Sequence, residues 1–198
     1  MPETSQIILQ PASYVEKLPI RDLFVTAQPL EVELGAGDGS FLVAWAARNP
    51  ARNFLAVERL LGRLRKTERK IRRAGLTNVR LLRIEAGYFL EYMLPAGSVS
   101  ALHVYFPDPW PKRKHHRHRL INDHFTEVAA TVLQANGIIY LRTDDKPYFT
   151  QMTAAFAGNN AFQPTETPPD LKAVLTDFER GFQARGVSTN HAAYRKAG

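Results

Sequence analysis

Apolar and polar positions along this chain alternate in blocks that predict a strand followed by a helix, repeated several times. The predicted strands lie in the apolar part of PLEVELGAGDGS and in NFLAVE, NVRLLRIEA, VSALHVYF and GIIYLRTDD. The predicted helices lie in SFLVAWAARNP, RLLGRLRKTERKIRRAG, GYFLEYML, RLINDHFTEVAATVLQANG and KPYFTQMTAAFAGN. Repeated strand–helix units with apolar strands are typical of a mainly parallel sheet covered by helices on both faces. The pattern therefore predicts a doubly wound α/β fold.

The finer pattern adds predictions for individual elements. SYVEKLPIRDLF near the N-terminus favours a short amphipathic helix, and the tail TDFERGFQARGVSTNHAAYRK favours late, antiparallel strands. Leu60, Leu64 and Ile71 form a narrow apolar stripe on the second predicted helix. Asn136-Gly137 is a typical C-terminal stop for the fourth.

Length and composition restrict the class of protein. With 198 residues, 44% of them apolar, the chain is expected to form one folded domain over 31–198, with 1–30 as an extension packed on it. No apolar stretch approaches the roughly 18–20 residues that span a bilayer, and no secretory signal is recognisable. The absence of cysteine excludes disulfides and thiolate metal sites. We expect a cytoplasmic protein that is not inserted in a membrane.

Charge is concentrated in two short stretches. Lys and Arg number 26 against 19 Asp and Glu, which gives a net charge of +7. Residues 59–73 hold eight of these cations and residues 112–119 hold five. Such a run is often only a solvated face. Two runs in one small domain favour a surface that binds a polyanion.

A glycine-rich turn follows the first predicted strand. ELGAGDGS places Gly35, Gly37 and Gly39 at alternate positions, where the backbone can turn tightly and approach a ligand. A dinucleotide fingerprint needs its third glycine at position 40, which is Ser40. A phosphate-binding Walker loop is excluded because no Gly-Lys-Ser/Thr follows. The dehydrogenase alternative is therefore disfavoured.

Three carboxylates near this turn suggest the ligand. Glu58 ends the second strand, where an acid can accept from both ribose hydroxyls of a nucleoside, or can serve as a first-turn helix acid. Glu33 precedes the turn and can meet a cationic group or pair with an arginine. Glu85 ends the third strand and can accept from an adenine amino group or remain a solvated loop residue. Several carboxylates suit a cationic nucleoside such as S-adenosylmethionine.

At this point the sequence resembles a known family. ELGAGDG, AVE, YFPDPWPKRKHHRHRL, LRTDD and TDFERGF occur in the order and spacing of the bacterial tRNA (guanine-N7-)-methyltransferases, over roughly residues 31–197. The resemblance implies a class I methyltransferase domain whose seven-stranded sheet has an antiparallel last strand. It also implies methyl transfer from S-adenosylmethionine to N7 of a guanine in the tRNA variable loop.

The resemblance assigns site residues by motif. Glu33, Glu58, Glu85 and Asp108 would line the cofactor site with the three glycines, whereas Lys112, Asp144, Thr176, Asp177, Phe178 and Glu179 would contact the substrate. Two positions depart from the family pattern: Glu85 stands where Asp or Asn is usual, and His118 replaces a permanent cation. Relatives commonly have a longer segment before the glycine turn.

Asp108 lies between two prolines and looks buried. N7 of guanine carries no proton, so its attack on a sulfonium methyl needs no general base. We expect Asp108 to orient guanine through its N1 and N2 donors and to stabilise the cation that develops there. Two alternatives are binding of the cofactor alone and a purely structural turn.

The residues around Asp108 are expected to hold RNA. Arg113, Lys114, Arg117 and Arg119 would neutralise phosphates together with Lys112. Trp110 either stacks on a base or packs under the loop. The neighbouring histidines do not predict a metal site, because the adjacent cations oppose a divalent ion. Asp144 either accepts from guanine or caps the following helix.

Rival functions remain open from sequence. The chain could methylate ribosomal RNA or a small molecule, or be a non-catalytic RNA-binding subunit that keeps the fold. The paired basic runs weigh against a small substrate, and the retained carboxylates weigh against a non-catalytic role. Both a monomer and a homodimer are compatible with the sequence.

Overall fold

Seven strands form one sheet in the computed structural model, which describes residues 6–198. In chain order they are β1 (Leu30–Leu34), β2 (Asn53–Val57), β3 (Val79–Leu82), β4 (Val99–Tyr105), β5 (Leu133–Thr143), β6 (Phe162–Thr165) and β7 (Asn190–Lys196). Their spatial order is β3-β2-β1-β4-β5-β7-β6. The first five strands pair in parallel, and β7 is antiparallel to both β5 and β6. The predicted fold class is confirmed.

Helices cover both faces of this sheet. They are α1 (Ser40–Arg48), α2 (Leu61–Arg73), α3 (Ala86–Tyr88, continued by a π-helical turn over Phe89–Met93), α4 (Asp123–Val132), α5 (Lys146–Ala157), α6 (Pro169–Lys172) and α7 (Asp177–Gln183). Alternate residues of β1 explain the two layers. Val32 belongs to the core that contains Phe125 and Met152, whereas Glu31 points to the opposite layer, where it contacts Trp45 of α1. Among residues 6–198, no helix is long and apolar enough to cross a membrane.

The strand order creates a crevice between β1 and β4. From β1 the chain proceeds outward to β2 and β3, and it then returns to place β4 on the other side of β1. Open α/β sheets bind ligands at such a reversal, outside the carboxyl ends of the strands. The glycine turn after β1 and the loop after β4 both lie there.

The N-terminal segment differs from its prediction. Ile7 and Leu9 hydrogen-bond through their backbones to Leu81, so the segment covers the edge of β3. The helix predicted over 13–24 is wrong, because only a 3-10 turn, Ile20–Asp22, forms there. Pro19 explains this: it has no N–H to donate and it restricts the residue before it. Residues 1–5 of the predicted extension lie outside the described residues.

The fourth predicted helix ends earlier than expected. Asn122 caps its start by accepting from Phe125 N at 3.0 Å, and the helix ends at Val132. Asn136, predicted as a helix stop, instead adopts φ +61° inside β5. The β4–β5 register shifts at this point, so the Asn136-Gly137 pair forms part of a bulge.

The predicted apolar stripe of α2 is partly wrong. Leu64 and Ile71 are fully buried, but Leu60 is 46% exposed. Thr67 takes its place in the interface, with no exposed surface. A threonine fits there because α2 packs against a glycine, as described below.

Candidate active site

A cavity of about 230 Å³ opens in the crevice between β1 and β4. Its floor contains Glu33 of β1, Phe41 of α1 and Tyr105 of β4, all buried. Its wall includes Asp177 and Phe178 at the start of α7, and exposed Arg63 and Lys66 of α2 lie at its mouth. The structure thus brings residues from both halves of the chain around one space.

The glycines of the turn have different roles. Gly35 and Gly37 adopt φ +89° and +55°, and a Cβ at either position would meet nothing within 4 Å. Their backbones therefore face open space that a ligand can enter. Gly39 also has a positive φ, but a Cβ there would lie 2.3 Å from Thr67 Cγ2. Its missing side chain is required by helix packing, and the cofactor contact expected from the sequence stays a prediction for this glycine.

Glu58 supports the turn from below. Its carboxylate accepts from Gly37 N at 3.1 Å and from Leu60 N at 2.8 Å, and the residue is 7% exposed. These bonds fix the turn at the end of β1 to the start of the segment leading into α2. Glu58 therefore stabilises the local backbone, in addition to any contact that it makes with a ligand.

Glu33 is the chemically unusual residue of the cavity. It is 4% exposed, and within residues 6–198 its Oε2 is the one buried side-chain oxygen or nitrogen without a hydrogen-bond partner. Burial raises the pKa of Glu33 to about 8, opposed by Arg142 and reinforced by the charges of Asp38 and Glu58. A buried carboxyl without a partner is costly unless a ligand supplies a donor or a positive charge.

Glu179 does not face this cavity as a substrate ligand. Its Oε2 accepts from Arg142 Nη1 at 2.8 Å and from Thr176 N at 2.9 Å, and both charged side chains are nearly fully buried. Thr176 in turn caps α7 by accepting from Glu179 N. The sequence expectation of substrate contact is therefore replaced by a structural role for Glu179, and Thr176 completes a capping box.

Thr176, Asp177 and Phe178 do line the cavity. Phe178 is 51% exposed, and its ring lies 5.9 Å from Phe106 and 6.4 Å from Phe182. Asp177 pairs loosely with Arg180 at 3.4 Å on the surface. This wall offers an exposed aromatic face beside a carboxylate.

Asp108 is exposed rather than buried, which corrects the expectation. The residues two positions away on each side, Phe106 and Trp110, adopt φ +52° and +45°. Bulky residues rarely occupy this region, so the backbone of the loop is strained at Phe106 and Trp110, on either side of Asp108. Strain of this kind clusters at functional sites.

The basic segment after Asp108 contains two kinds of residue. Lys112, Arg113, Lys114 and Arg117 are exposed, in or beside a 3-10 helix over Arg113–His118. Arg119 is 4% exposed: it donates to Pro109 O at 2.7 Å and to Gln151 Oε1 at 2.8 Å, over the ring of Tyr148. Arg119 therefore anchors the loop and is not free for the phosphate contact expected of it.

The histidines in this segment pack on Trp110. Their rings lie 5.8 Å (His115) and 5.1 Å (His118) from the indole, which is 37% exposed. Among residues 6–198, no group of three or more His, Asp or Glu is arranged to hold a metal ion.

Two other predicted site residues lie apart from the cavity lining. Glu85 caps α3, accepting from Gly87 N and Tyr88 N at 2.9 and 2.7 Å. Asp144 is exposed at the end of β5, and Asp145 rather than Asp144 caps α5.

The sequence analysis missed a buried polar network beneath the cavity. His103 Nε2 lies 2.8 Å from Glu31 Oε2, and His103 Nδ1 lies 2.8 Å from the hydroxyl of Tyr105, which lines the cavity. Burial of Glu31 raises its pKa, but hydrogen bonds from His103 and Trp45 and the charge of Arg52 outweigh this and lower the pKa overall. A histidine in the otherwise apolar strand VSALHVYF was the signal that could have revealed it.

Comparison with known proteins places this geometry in a family. The family described as "Putative methyltransferase" matches residues 27–192. The tRNA (guanine-N(7)-)-methyltransferase of Leifsonia xyli is 37% identical over 90% of this chain and 81% of its own length. The enzymes of the same name from Syntrophotalea carbinolica and Leptospira interrogans are 32% and 34% identical, over 97% and 94% of this chain and 84% and 87% of their own lengths.

Solved structures share the fold. The 16S rRNA methyltransferase KamB matches with a TM-score of 0.66 and 14% identity, over 92% of this chain and 95% of its own. TrmN from Thermus thermophilus matches with a TM-score of 0.61 and 18% identity, over 86% of this chain and 45% of its own. At such low identity these likenesses establish the architecture alone.

Proposed function

This chain belongs to the tRNA (guanine-N7-)-methyltransferase family, and from that membership we propose that it methylates N7 of a guanine in tRNA with S-adenosylmethionine as donor. We propose that the target is the variable-loop guanine at position 46, as the resemblance of the sequence to this family implies. Because tRNA is the substrate, the enzyme works in the cytoplasm. The observation that carries the proposal is the buried, unpartnered carboxyl oxygen of Glu33 on the floor of a cavity beside an open glycine turn.

The cavity fits a cationic nucleoside. Gly35 and Gly37 leave space for close approach, and Glu33 offers an acceptor that has no protein partner. S-adenosylmethionine supplies a methyl group on a positively charged sulfur. Glu33 would hold a positive group of this cofactor, while Glu58 keeps the glycine turn in place beneath it. Glu85, which caps α3 after β3, would reach the adenine.

Asp108 acts on the guanine. N7 attacks through an in-plane lone pair and carries no proton, so no residue needs to serve as a general base. Positive charge instead develops on the purine as the methyl group arrives. An exposed carboxylate held by a strained loop can accept from guanine N1 and N2 donors and stabilise that charge with little reorganisation. Alignment of the reacting atoms supplies much of the remaining acceleration.

The target base enters along the wall formed by the start of α7. Phe178 presents an exposed ring on which a base can stack, and Asp177 beside it can accept from the guanine edge. Asp144 and Lys112, exposed on the loops after β5 and β4, would complete the contacts. A guanine that takes part in tRNA structure must be extruded to reach this wall.

Exposed cations then hold the RNA backbone. Arg113, Lys114 and Arg117 follow Lys112 on the surface of the same loop and would neutralise phosphates. The resulting affinity should fall steeply with salt.

The test is methylation of unmodified tRNA with labelled S-adenosylmethionine, followed by borohydride and aniline cleavage at 7-methylguanosine. We expect label and cleavage at the variable-loop guanine, and none on free GMP. Label on ribosomal RNA alone would support the rival RNA methyltransferase. Absence of label on every substrate would overturn the proposal in favour of a non-catalytic role.

Asp108→Asn separates the two roles of this residue. Because the amide cannot stabilise positive charge on the purine, we expect turnover to fall by about 100-fold or more with cofactor affinity unchanged. Calorimetric titration of S-adenosylmethionine and single-turnover methylation measure these quantities. Loss of cofactor affinity would instead assign Asp108 to the cofactor alone.

A further inference from the structure

Helix α2 carries far more positive charge than its stability requires. Its thirteen residues, Leu61–Arg73, include seven Lys or Arg and one acid, Glu68. Within residues 6–198, only two of these cations have an acidic ion-pair partner: Lys70 with Asp38 and Arg72 with Glu68. Cations three or four residues apart repel one another and weaken a helix by about 0.2–0.5 kcal/mol per pair. A composition that weakens the helix suggests a role outside folding.

The cations form two flanks around the buried stripe. Leu64, Thr67 and Ile71 face the protein, so residues on either side of that line define the flanks. At 100° per residue, Arg63, Lys66, Lys70 and Arg73 align on one flank, with Arg65, Arg69 and Arg72 on the other.

The structure orients the first flank toward the site. Arg63 and Lys66 line the mouth of the cavity and are themselves exposed. Lys70 donates to Asp38 and to Ser40 Oγ, which fastens this flank to the glycine turn. The basic flank therefore begins at the cavity that contains Glu33 and Phe178, and it continues along the surface to Arg73 at the end of the helix.

We propose that the Arg63, Lys66 and Arg73 flank of α2 binds the tRNA backbone next to the target nucleotide. This surface is separate from the basic loop after β4, and the inference rests on the proposed function. The base would enter the cavity between α2 and the start of α7, while phosphates beside it contact Arg63 and Lys66 at the mouth. Arg73 would then contact a phosphate farther along the strand.

The distribution of charge around the cavity separates binding of the tRNA backbone by α2 from binding of the cofactor in the interior. The acidic side chains Glu33, Glu58 and Asp38 lie inside or beside the cavity, whereas the cations without acidic partners lie at its exposed rim. A polyanion cannot occupy the acidic interior, but it can pass across a basic rim. Exposed guanidinium and ammonium groups without acidic partners remain available for phosphates.

The test compares two double variants that remove equal charge from one helix. Arg63→Gln/Lys66→Gln alters the flank at the cavity, and Arg65→Gln/Arg72→Gln alters the opposite flank. Unmodified tRNA binding is measured by fluorescence anisotropy at several salt concentrations, together with S-adenosylmethionine affinity and thermal unfolding. For the first variant we expect roughly tenfold weaker tRNA binding and a salt slope lower by about 2, with cofactor affinity unchanged. The second should retain most of the wild-type affinity.

Each outcome is decisive. Equal losses of tRNA affinity in both variants would mean that α2 contributes only a general electrostatic attraction, and this would overturn the proposal. Loss of cofactor affinity in the first variant would assign Arg63 and Lys66 to the cofactor carboxylate and also overturn it. Methylation of tRNA by the wild-type enzyme is measured alongside. If it occurs while the first variant binds tRNA normally, the inference fails and the proposed function stands; if it does not occur, the proposed function itself fails.

Discussion

Two glutamates of β1 differ in the hydrogen bonds that their carboxyl groups receive. Glu33 and Glu31 lie two residues apart on β1 and face the same layer, yet their environments differ. Glu31 receives hydrogen bonds from Trp45 and Arg52, whereas Glu33 Oε2 receives none in the described residues. The pKa of Glu31 is accordingly lowered and that of Glu33 raised. One carboxylate is hydrogen-bonded within the fold, and the other keeps an oxygen without a partner in the described residues, where we propose that a ligand binds.

The unpartnered Glu33 should make the free protein less stable as pH rises. Its pKa of about 8 exceeds the ordinary value of 4.5, so the folded state holds a proton that the unfolded chain releases between those pH values. Unfolding free energy should therefore decrease by up to about 1.4 kcal/mol per pH unit across this window. Glu33→Gln removes the effect, so its stability relative to wild type should increase from pH 5 to pH 8.5.

Urea unfolding at pH 5, 7 and 8.5 measures this difference. The exposed Asp22→Asn variant controls for loss of one negative charge. A constant difference between Glu33→Gln and wild type over the whole range would contradict the prediction.

At the scale of elements, the glycine turn and α2 behave as one unit. Thr67 contacts the turn where Gly39 has no side chain, Glu58 binds the turn from β2, and Lys70 binds Asp38. The turn is therefore held from three directions, and a ligand meets a backbone that is already in position. This preorganisation lowers the entropy lost on binding.

Gly39→Ala should disrupt this unit. The new methyl group would overlap Thr67, 2.3 Å away, and the residue must keep φ +74°. We expect a loss of roughly 2–4 kcal/mol of unfolding free energy. Gly181→Ala in α7 is the matched control, because its Cβ meets nothing within 4 Å and alanine favours a helix by up to about 1 kcal/mol. Similar stabilities for the two variants by denaturant unfolding would refute the steric argument.

Across the whole molecule, Arg142 connects the sheet to the C-terminal segment. It donates to the carbonyls of Leu171 and Val174 and to Glu179, and it lies 4.3 Å over the ring of Tyr105. Through these contacts β5 holds the start of α7 against the cavity. The wall proposed for guanine thus depends on one buried guanidinium.

Arg142→Met should destabilise the protein by about 3–5 kcal/mol, because the buried Glu179 would keep only His191, 3.4 Å from its Oε1, as an ion-pair partner. The control is Arg52→Met: Arg52 is a half-exposed partner of Glu31, which keeps His103 and Trp45, so a loss of about 1 kcal/mol or less is expected. Thermal unfolding gives the comparison, and Glu179→Gln tests the same link with less structural change. Equal losses for the two Met variants would refute a special role for Arg142.

The sequence predicted the layers of this molecule better than its long-range polar contacts. The strand–helix rhythm predicted the parallel sheet, and Glu33 was singled out because it lies two residues before the first glycine of the turn. Arg142 and His103 were not identified, since their partners Glu179 and Glu31 lie 37 and 72 residues away along the chain. Arg117 and Arg119 look equivalent in sequence, but Arg119 is buried by its contacts with Pro109, Gln151 and Tyr148, which lie close to it only in the folded protein.

The placement of Arg63 and Lys66 at the cavity mouth has a kinetic consequence. If RNA lies across that mouth, the cofactor must enter before tRNA and cannot leave while tRNA is bound. The release rate of labelled S-adenosylmethionine should therefore fall when the enzyme also holds a tRNA whose variable-loop guanine is replaced by adenine. A release rate unaffected by this tRNA would mean that the cofactor has a second exit. Bound tRNA would thus block dissociation of the cofactor, so that methyl transfer takes place before the cofactor can leave.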